Sequence, residues 1–317
     1  MTENLGSQAT RKMPVSLPDI VGGLKKVGIK EGDVVLAHSA MRTFGPIEGG
    51  AETIVTAFLQ VLGKTGTFVV PTFTFCHEAE KDPVIDPEND PSEMGIISET
   101  ARRRPDALRS IAFRHSLAAI GRRAEVITQV DPTLSPFDFR SAFGVMLALN
   151  AQILLLGVDY SSSTSHHFCE WACEVPYRHK IPRKVKLRRK DGSVVEQAMV
   201  DYQPMSDLPG SYYGTRRTDF NHLGKMLEDC SLVGVTAIGN AVVRRFAMRD
   251  LIDLAQREAA KDYNIFRTDE GRTGWEDFTP LDFGKIILSK EIPDGAGRRD
   301  RHQWSVLDEE MLYRPSR

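Results

Sequence analysis

Cysteine is scarce. The four residues Cys76, Cys169, Cys173 and Cys230 in a chain of 317 are too few and too scattered for a disulfide framework. Neither charge sign dominates, with 41 Lys+Arg against 43 Asp+Glu and a formal charge of −2. That balance argues against a dedicated nucleic-acid binder, which carries a strongly basic face. No apolar run approaches the ~20 residues that cross a bilayer, so no membrane partner is expected. Arg11-Lys12 leads into no apolar stretch of the kind a secretory signal needs. Internal repeats and low-complexity tracts are missing, as is a G-x-x-x-x-G-K phosphate loop. With 41% hydrophobic and 26% charged residues, the chain has the composition of a soluble enzyme with a sizeable core. The expected compartment is the cytoplasm.

Periodicity supplies the architecture. Ser16 is a good N-cap for a helix carrying Leu17, Ile20, Val21, Leu24 and Val27 at helical spacing, and Gly28 stops it. The run DVVLAH (33–38) is short enough for a buried strand. A second helix spans about Glu52 to Leu62, with Gly63 closing it, and TFVVPT (67–72) is the next strand. Further helices are expected near 94–103, 122–129 and 139–149, and a short strand at 117–120. QILLLGV (152–158) is the clearest buried strand, followed by a helix from about Thr164. Alternating strands and helices predict an α/β protein of layered architecture. Around Asp191-Gly192 two extended runs read as a hairpin, a β-rich inserted subdomain at about 183–201. A helix at 220–228, an apolar run at 231–238, a helix at 248–261 and a strand at 284–288 complete the reading. The expected division is a flexible tail over 1–13, a main domain over 14–261 and a C-terminal extension over 262–317.

Chemistry concentrates in QILLLGVDYSSSTSHHFCEWACE (152–174). Ligands of open α/β sheets bind outside the carboxyl ends of the strands, which is where this serine-rich turn lies. Thr164, His167 and Glu170 are three residues apart and share a helix face. A neutral imidazole at His167 can accept a proton, Glu170 can hold its tautomer, and Thr164 can offer a hydroxyl to an oxyanion. Spacing alone equally allows Ser162, Ser163 or Thr164 as an ordinary N-cap and His167 with Glu170 as a surface pair. His166, His167, Cys169 and Cys173, or Cys76-His77, offer zinc-type donors, but none follows a C-x-x-C, H-x-x-x-H or H-E-x-x-H spacing.

The stretch Thr164 to Glu170 resembles the T-x-x-H-x-x-E signature of the aminoglycoside 3-N-acetyltransferase family. His38-Ser39-Ala40 with Phe44-Gly45 and Gly49-Gly50 is similar to its opening block, and Gly63 to Thr74 to its G-x-x-G-T-x-x-x-P-T-F block. Arg109-Ser110, His115-Ser116, Ala118 to Gly121 and Ser135-Pro136-Phe137 follow in order. Ala112-Phe113 departs from the family's His-Pro, Ser163 replaces an asparagine, and His166 an aliphatic or aromatic residue. The resemblance implies an acetyl-CoA-dependent N-acetyltransferase outside the GNAT fold, with an α/β/α layered core and a β-rich insertion, acting in antibiotic resistance and needing no metal. It implies His167 as base, Glu170 as orienting carboxylate and Thr164 as hydroxyl partner. It implies cofactor contacts at His38, Ser39, Ala40, Arg109, Ser110, His115 and Ser116. Thr72, Asp159 and Glu78 are candidate contacts for the small-molecule amine, for instance a 2-deoxystreptamine aminoglycoside, and a homodimer is left open. The rival readings are a metal-dependent hydrolase built on the His/Cys cluster and a non-catalytic CoA- or small-molecule-binding protein.

Two charge features bear on ligands. From Glu78 to Glu93 there are seven acids and one base, a loop that would draw a polycation. Arg178 to Lys190 carries eight Lys/Arg and no acid, suited to CoA phosphates or simply to the wet face of a hairpin.

Overall fold

Strand alternation builds two cores on one sheet. In the computed structural model, which describes residues 13–80, 82–204 and 218–268 and the backbone of 291–294 and 297–300, helix α1 (Leu17–Lys26) leads into β1 (Val34–Ser39). Ser16 caps α1 through a reciprocal bond set with Asp19. Then come α2 (Gly50–Leu62), β2 (Thr67–Pro71), the short β3 (Val84–Ile85), α3 (Ile96–Arg102), β4 (Leu108–Arg109) and β5 (Leu117–Gly121). Helices α4 (Ala124–Thr128) and α5 (Ala142–Ala148) precede β6 (Gln152–Leu156) and α6 (Ser165–Ala172). The hairpin β7 (Arg178–Arg188) and β8 (Val194–Pro204) follows, then α7 (Phe220–Asp229), β9 (Gly234–Ile238), β10 (Ala241–Ala247) and α8 (Met248–Ala259). A small backbone hairpin joins β11 (Glu291–Asp294) to β12 (Gly297–Asp300). The expected strand at 284–288 and residues 1–12 of the expected tail lie outside the described residues.

The main sheet runs β4-β5-β2-β1-β6-β10-β9. Its centre, β2-β1-β6, is parallel, and the flanking strands are antiparallel. Because side chains alternate along a strand, Val35, Ala37, Phe68, Val70, Leu154 and Leu156 face one way, onto α1, α2 and α3. Val34, Leu36, Val69, Ile153 and Leu155 face the other way, onto α4 to α8. The result is the three-layer α/β/α core that the family resemblance implies, and the near-continuous apolar runs of β1, β2 and β6 are what a strand buried on both faces requires. Just past α8, Tyr263, Ile265 and Phe266 pack into the second of these cores.

The inserted β-sheet has its own small core of Ile85, Phe113, Val185, Leu187 and Met199. Asp191-Gly192 forms its turn, with Gly192 at φ +82° and the Asp191 carboxylate accepting from the Ser193 N–H at 2.9 Å. Both arms are longer than the two sequence runs. Strand β10 is absent from the sequence reading, because Arg244-Arg245 interrupts its apolar pattern, yet it pairs antiparallel with β6 through Val243 to Ala247. Strands β3 and β4 span two residues each, too short to leave a periodic signal.

One glycine fixes a packing distance beside the strand ends. Gly224 on α7 lies so close to the Tyr160 ring that a Cβ there would sit 2.1 Å from ring carbons. Gly224→Ala is therefore expected to destabilise the fold by about 1–3 kcal/mol, measured by urea denaturation.

Candidate active site

The parallel strands β2, β1 and β6 deliver their carboxyl ends to one edge of the sheet. From β6 the chain leaves through Gly157, at φ +68°, where a Cβ would meet the Thr43 hydroxyl oxygen at 1.7 Å. Asp159 then accepts from the Ser161 N–H at 3.0 Å and from the Asn221 side-chain amide at 3.2 Å. These bonds turn the chain into α6. Thr164 stands at the N-cap of α6, buried, and its side chain makes no capping bond.

One turn into α6, His167 and Glu170 meet. His167 Nδ1 lies 2.6 Å from Glu170 Oε2. Glu170 is 1% exposed, whereas the His167 side chain is 26% exposed. Arg178, at the start of β7, places its Nε 2.7 Å from the same Glu170 oxygen, and its side chain is largely buried. Burial pushes the Glu170 pKa up, but the Arg178 charge and the His167 hydrogen bond outweigh it and hold the carboxyl below its usual value. An ionised carboxylate only accepts, so Nδ1 carries the hydrogen and Nε2 keeps its lone pair. Burial and then the Arg178 charge hold the His167 pKa below 6.5 against the opposing pull of Glu170. The imidazole is neutral at neutral pH.

Rings surround it. Phe220, Phe137 and His115 place their centroids 4.8, 5.9 and 6.5 Å from that of His167. Tyr202 packs on Phe137 at 6.1 Å and lies under the Arg178 guanidinium at 5.5 Å. Burial holds the His115 pKa well below 6.5, and places His38 at about 4 and His166 at about 3. Several buried polar atoms here find no partner among the described residues: His38 Nε2, both His166 ring nitrogens, and the Ser163 and Ser165 hydroxyls. Such groups mark where a bound molecule or solvent completes the bonding.

The remaining candidates divide. His38 and Ser39 end β1, and Ala40 follows them beside the carboxyl end of β6, where the Ala40 N–H donates to the Leu156 carbonyl at 3.0 Å. Thr72, Ser116 and Arg109 form one interior network. The Ser116 hydroxyl donates to the Thr72 carbonyl at 2.8 Å, and Arg109 donates to Thr72, Thr74, Ser116, Pro87 and Asp90. The Ser110 hydroxyl accepts from the Leu117 N–H at 2.9 Å. Arg109 thus ties the 72–90 loop to β4 and β5 with a guanidinium already surrounded by acceptors. Asp159 and Glu78 are exposed, and Glu78 pairs with Arg114 at 2.8 Å.

The two charge runs meet each other. Asp82, Asp86 and Glu88 pair with Lys186, Arg188 and Lys190 of the hairpin, the last two at 3.2 and 3.5 Å. Glu80 and Asp90 face His77, and Glu93 accepts from the backbone of Phe75 and Cys76. The acidic loop and basic strand are matched across an internal interface. The donors of His166, His167, Cys169 and Cys173 do not converge: Cys169 and Cys173 are fully buried, burial pushes both thiols up, and Cys169 donates to the Ser165 carbonyl at 3.3 Å.

Sequence reasoning does not single out Arg178, Tyr202 and Phe220, which the structure places around His167 and Glu170. Arg178 is visible only as one base in a basic run, and nothing in the spacing ties it to Glu170.

A sequence model described as aminoglycoside 3-N-acetyltransferase matches residues 36–259. The chain is 30% identical over 248 residues to aminoglycoside N(3)-acetyltransferase IV of a Salmonella species, covering 78% of this chain and 88% of that protein. It is similar to the solved structure of a histidine-to-alanine variant of AAC(3)-IVa in complex with a gentamicin, at 26% identity and a TM-score of 0.64, covering 81% of this chain and 93% of that one. In fold it is also similar to AAC-IIIb solved with CoASH, at 19% identity and a TM-score of 0.68, covering 78% and 97% of the two chains.

Arg178 offsets a buried charge, so its loss should be costly. Arg178→Met is expected to destabilise the protein by about 3–5 kcal/mol, and the double variant Arg178→Met/Glu170→Gln to recover part of that in denaturant titrations.

Proposed function

The chain belongs to the aminoglycoside 3-N-acetyltransferase family, and from that premise we propose that it transfers acetyl from acetyl-CoA to the 3-amino group of a 2-deoxystreptamine aminoglycoside, with His167 as general base. The observation that carries this reading is the 2.6 Å bond from His167 Nδ1 to a buried, ionised Glu170, which leaves Nε2 as the basic nitrogen of a partly exposed ring.

The chemistry follows from the reactants. An ammonium cannot attack, so the acceptor must present a neutral amine, and its nitrogen must shed a further proton as the C–N bond forms. In the proposed step the amine nitrogen attacks the thioester carbon and Nε2 of His167 takes the N–H proton. The carbonyl oxygen becomes an oxyanion for which Thr164 is the proposed donor. The C–S bond then breaks, and CoA departs with the sulfur as thiolate. No covalent enzyme intermediate is needed, because holding both substrates together supplies the proximity. Acetyl-CoA is the cosubstrate.

For its placement we favour the loop His38-Ser39-Ala40 and the His115-Ser116 segment. Support comes from the unpartnered atoms of His38, His166, Ser163 and Ser165, which suit the amides of a pantetheine arm. Arg109 and Ser110 act in this reading by positioning that segment. Thr72, Asp159 and Glu78 are kept as proposed neighbours of the acceptor. The likeness to a protein solved with a gentamicin supports an aminoglycoside acceptor. We propose the cytoplasm as the compartment, because acetyl-CoA is drawn from it, and residues 14–261 as the catalytic unit.

Thiol release from acetyl-CoA across a panel of aminoglycosides and simpler amines tests the acceptor, and silence with every aminoglycoside rejects it. His167→Ala is expected to lower kcat by about 10²–10⁴-fold while leaving CoA binding by calorimetry nearly unchanged; full turnover in that variant removes His167 as the base. The His167 ring should titrate below pH 6.5 by NMR. Glu170→Gln should move that midpoint lower still, since the carboxylate favours the imidazolium while Arg178 opposes it. A midpoint that rises would contradict the arrangement.

A further inference from the structure

Away from the reacting centre, the turn that follows β2 carries a second cluster. Cys76, His77 and Glu80 place one donor atom each within 4.8 Å of one another. His77 and Cys76 are neighbours, and Glu80 lies three residues past His77, so the backbone needs one short 3₁₀ turn, Cys76–Ala79, to bring the three together. The His77 side chain is 8% exposed, and its two nitrogens have different surroundings.

Nε2 lies 2.8 Å from the Asp90 carboxylate, and the same Asp90 oxygen accepts from the Asp86 N–H at 2.8 Å. The carboxylate is therefore fixed before it fixes the ring. Nδ1, by contrast, is buried and has no hydrogen-bond partner among the described residues. Its nearest charged neighbour is Glu80 Oε1, at 3.3 Å and without hydrogen-bond geometry. That separation is close to the edge of a tetrahedron whose metal–ligand bonds are about 2.0–2.1 Å long. An imidazole steadied through one nitrogen by a carboxylate, with the other facing a second carboxylate and a cysteine on the same turn, is the supporting arrangement of a metal ligand.

From these observations we infer that Cys76, His77 and Glu80 form a binding site for a borderline-soft divalent cation of the zinc class, with Asp90 orienting His77. The donor set of one sulfur, one imidazole nitrogen and one carboxylate oxygen selects zinc or cobalt over magnesium or calcium, which take oxygen donors. Water completes the coordination, since three protein ligands leave one tetrahedral position. The consequence is structural. Arg109 holds the Asp90 carbonyl at 2.6 Å, and Phe75, next to Cys76, packs edge-on to His115 at 6.3 Å between ring centres. A cation here clamps the turn to the 86–90 segment, beside the ring that faces His167. The site takes no part in acetyl transfer and does not depend on that activity.

The test uses the full chain, stripped by chelator and dialysed, then titrated with Zn²⁺ alone by calorimetry and with Co²⁺ alone by absorbance. One equivalent should bind, Tm should rise, and Co²⁺ should give a thiolate-to-metal charge-transfer band. Cys76→Ser should abolish that band, His77→Gln should abolish binding, and Asp90→Asn should weaken it about 10–100-fold. Cys230→Ser, at the other exposed thiol, should change nothing. Metal-free variants must match the metal-free parent in Tm and circular dichroism; should Asp90→Asn fail this, Glu80→Gln takes its place, with weaker binding expected. Absence of saturable one-to-one binding, or a band that survives Cys76→Ser or vanishes in Cys230→Ser, overturns the inference.

Discussion

A single carboxylate, that of Glu170, holds the site together. It lies on α6, accepts from His167 one turn earlier on the same helix, and faces Arg178 at the first position of the hairpin. Taking a carboxylate out of water costs several kcal/mol even after the protein relaxes, so Glu170 is tolerable at 1% exposure only with both partners present. Each partner gives it something different. Arg178 supplies the full charge that keeps the carboxyl ionised. His167 gives a neutral N–H, and in return its tautomer is fixed. The same contact joins two parts of the fold, because Arg178 belongs to β7 and Glu170 to a helix of the main core. The inserted hairpin is thereby an electrostatic brace for the site.

Charge matching extends that brace outward. The acidic loop and the basic strand lie about a hundred residues apart in sequence, yet Asp82, Asp86 and Glu88 face Lys186, Arg188 and Lys190 in register. Exposed pairs of this kind contribute little singly, about 0–1 kcal/mol each. Their value here is positional. They set the loop against β7, while Arg114 bridges Glu78 to the buried Asp201 at 2.8 Å on each side. Charges committed in this way are poorly placed to attract distant ligands, so field focusing by the loop carries less of any recognition than local contacts do.

The sheet is legible in the sequence because its central strands are buried on both faces, and VVLAH, TFVVP and QILLL announce that by being apolar throughout. The helices on either side are legible from caps and stripes such as Ser16 and the Ile54, Val55, Phe58 and Leu62 face. Strand β10 escapes because Arg244 and Arg245, both half-buried, break its apolar run, while their backbone pairs with β6 and the Arg244 guanidinium reaches Glu228 at 3.0 Å. Its hairpin turn, Gly239-Asn240, carries the one local signal of that strand, with Gly239 at φ +59°. At the site, the spacing of Thr164, His167 and Glu170 is readable because one helix presents all three. Arg178, Phe137 and Phe220 come from three other segments, and no local pattern encodes a contact made only by tertiary folding.

The balance around His167 explains why an imidazole suits this position and an ammonium would not. Glu170 alone would raise the ring's pKa and hold it as imidazolium, which cannot accept a proton. Burial among Phe137, His115 and Phe220, together with the nearby positive charge of Arg178, pushes the other way and prevails. In the proposed step the carboxylate's part is to fix the hydrogen on Nδ1 and to favour the imidazolium once Nε2 has taken a proton. For the proposed base, neutral before the step and cationic after it, opposed influences of this kind are the better arrangement, because either one acting alone would trap the ring in a single state. Arg178 thus acts twice: with the His167 hydrogen bond it holds Glu170 ionised, and after burial, the larger influence, it opposes the pull of Glu170 on His167.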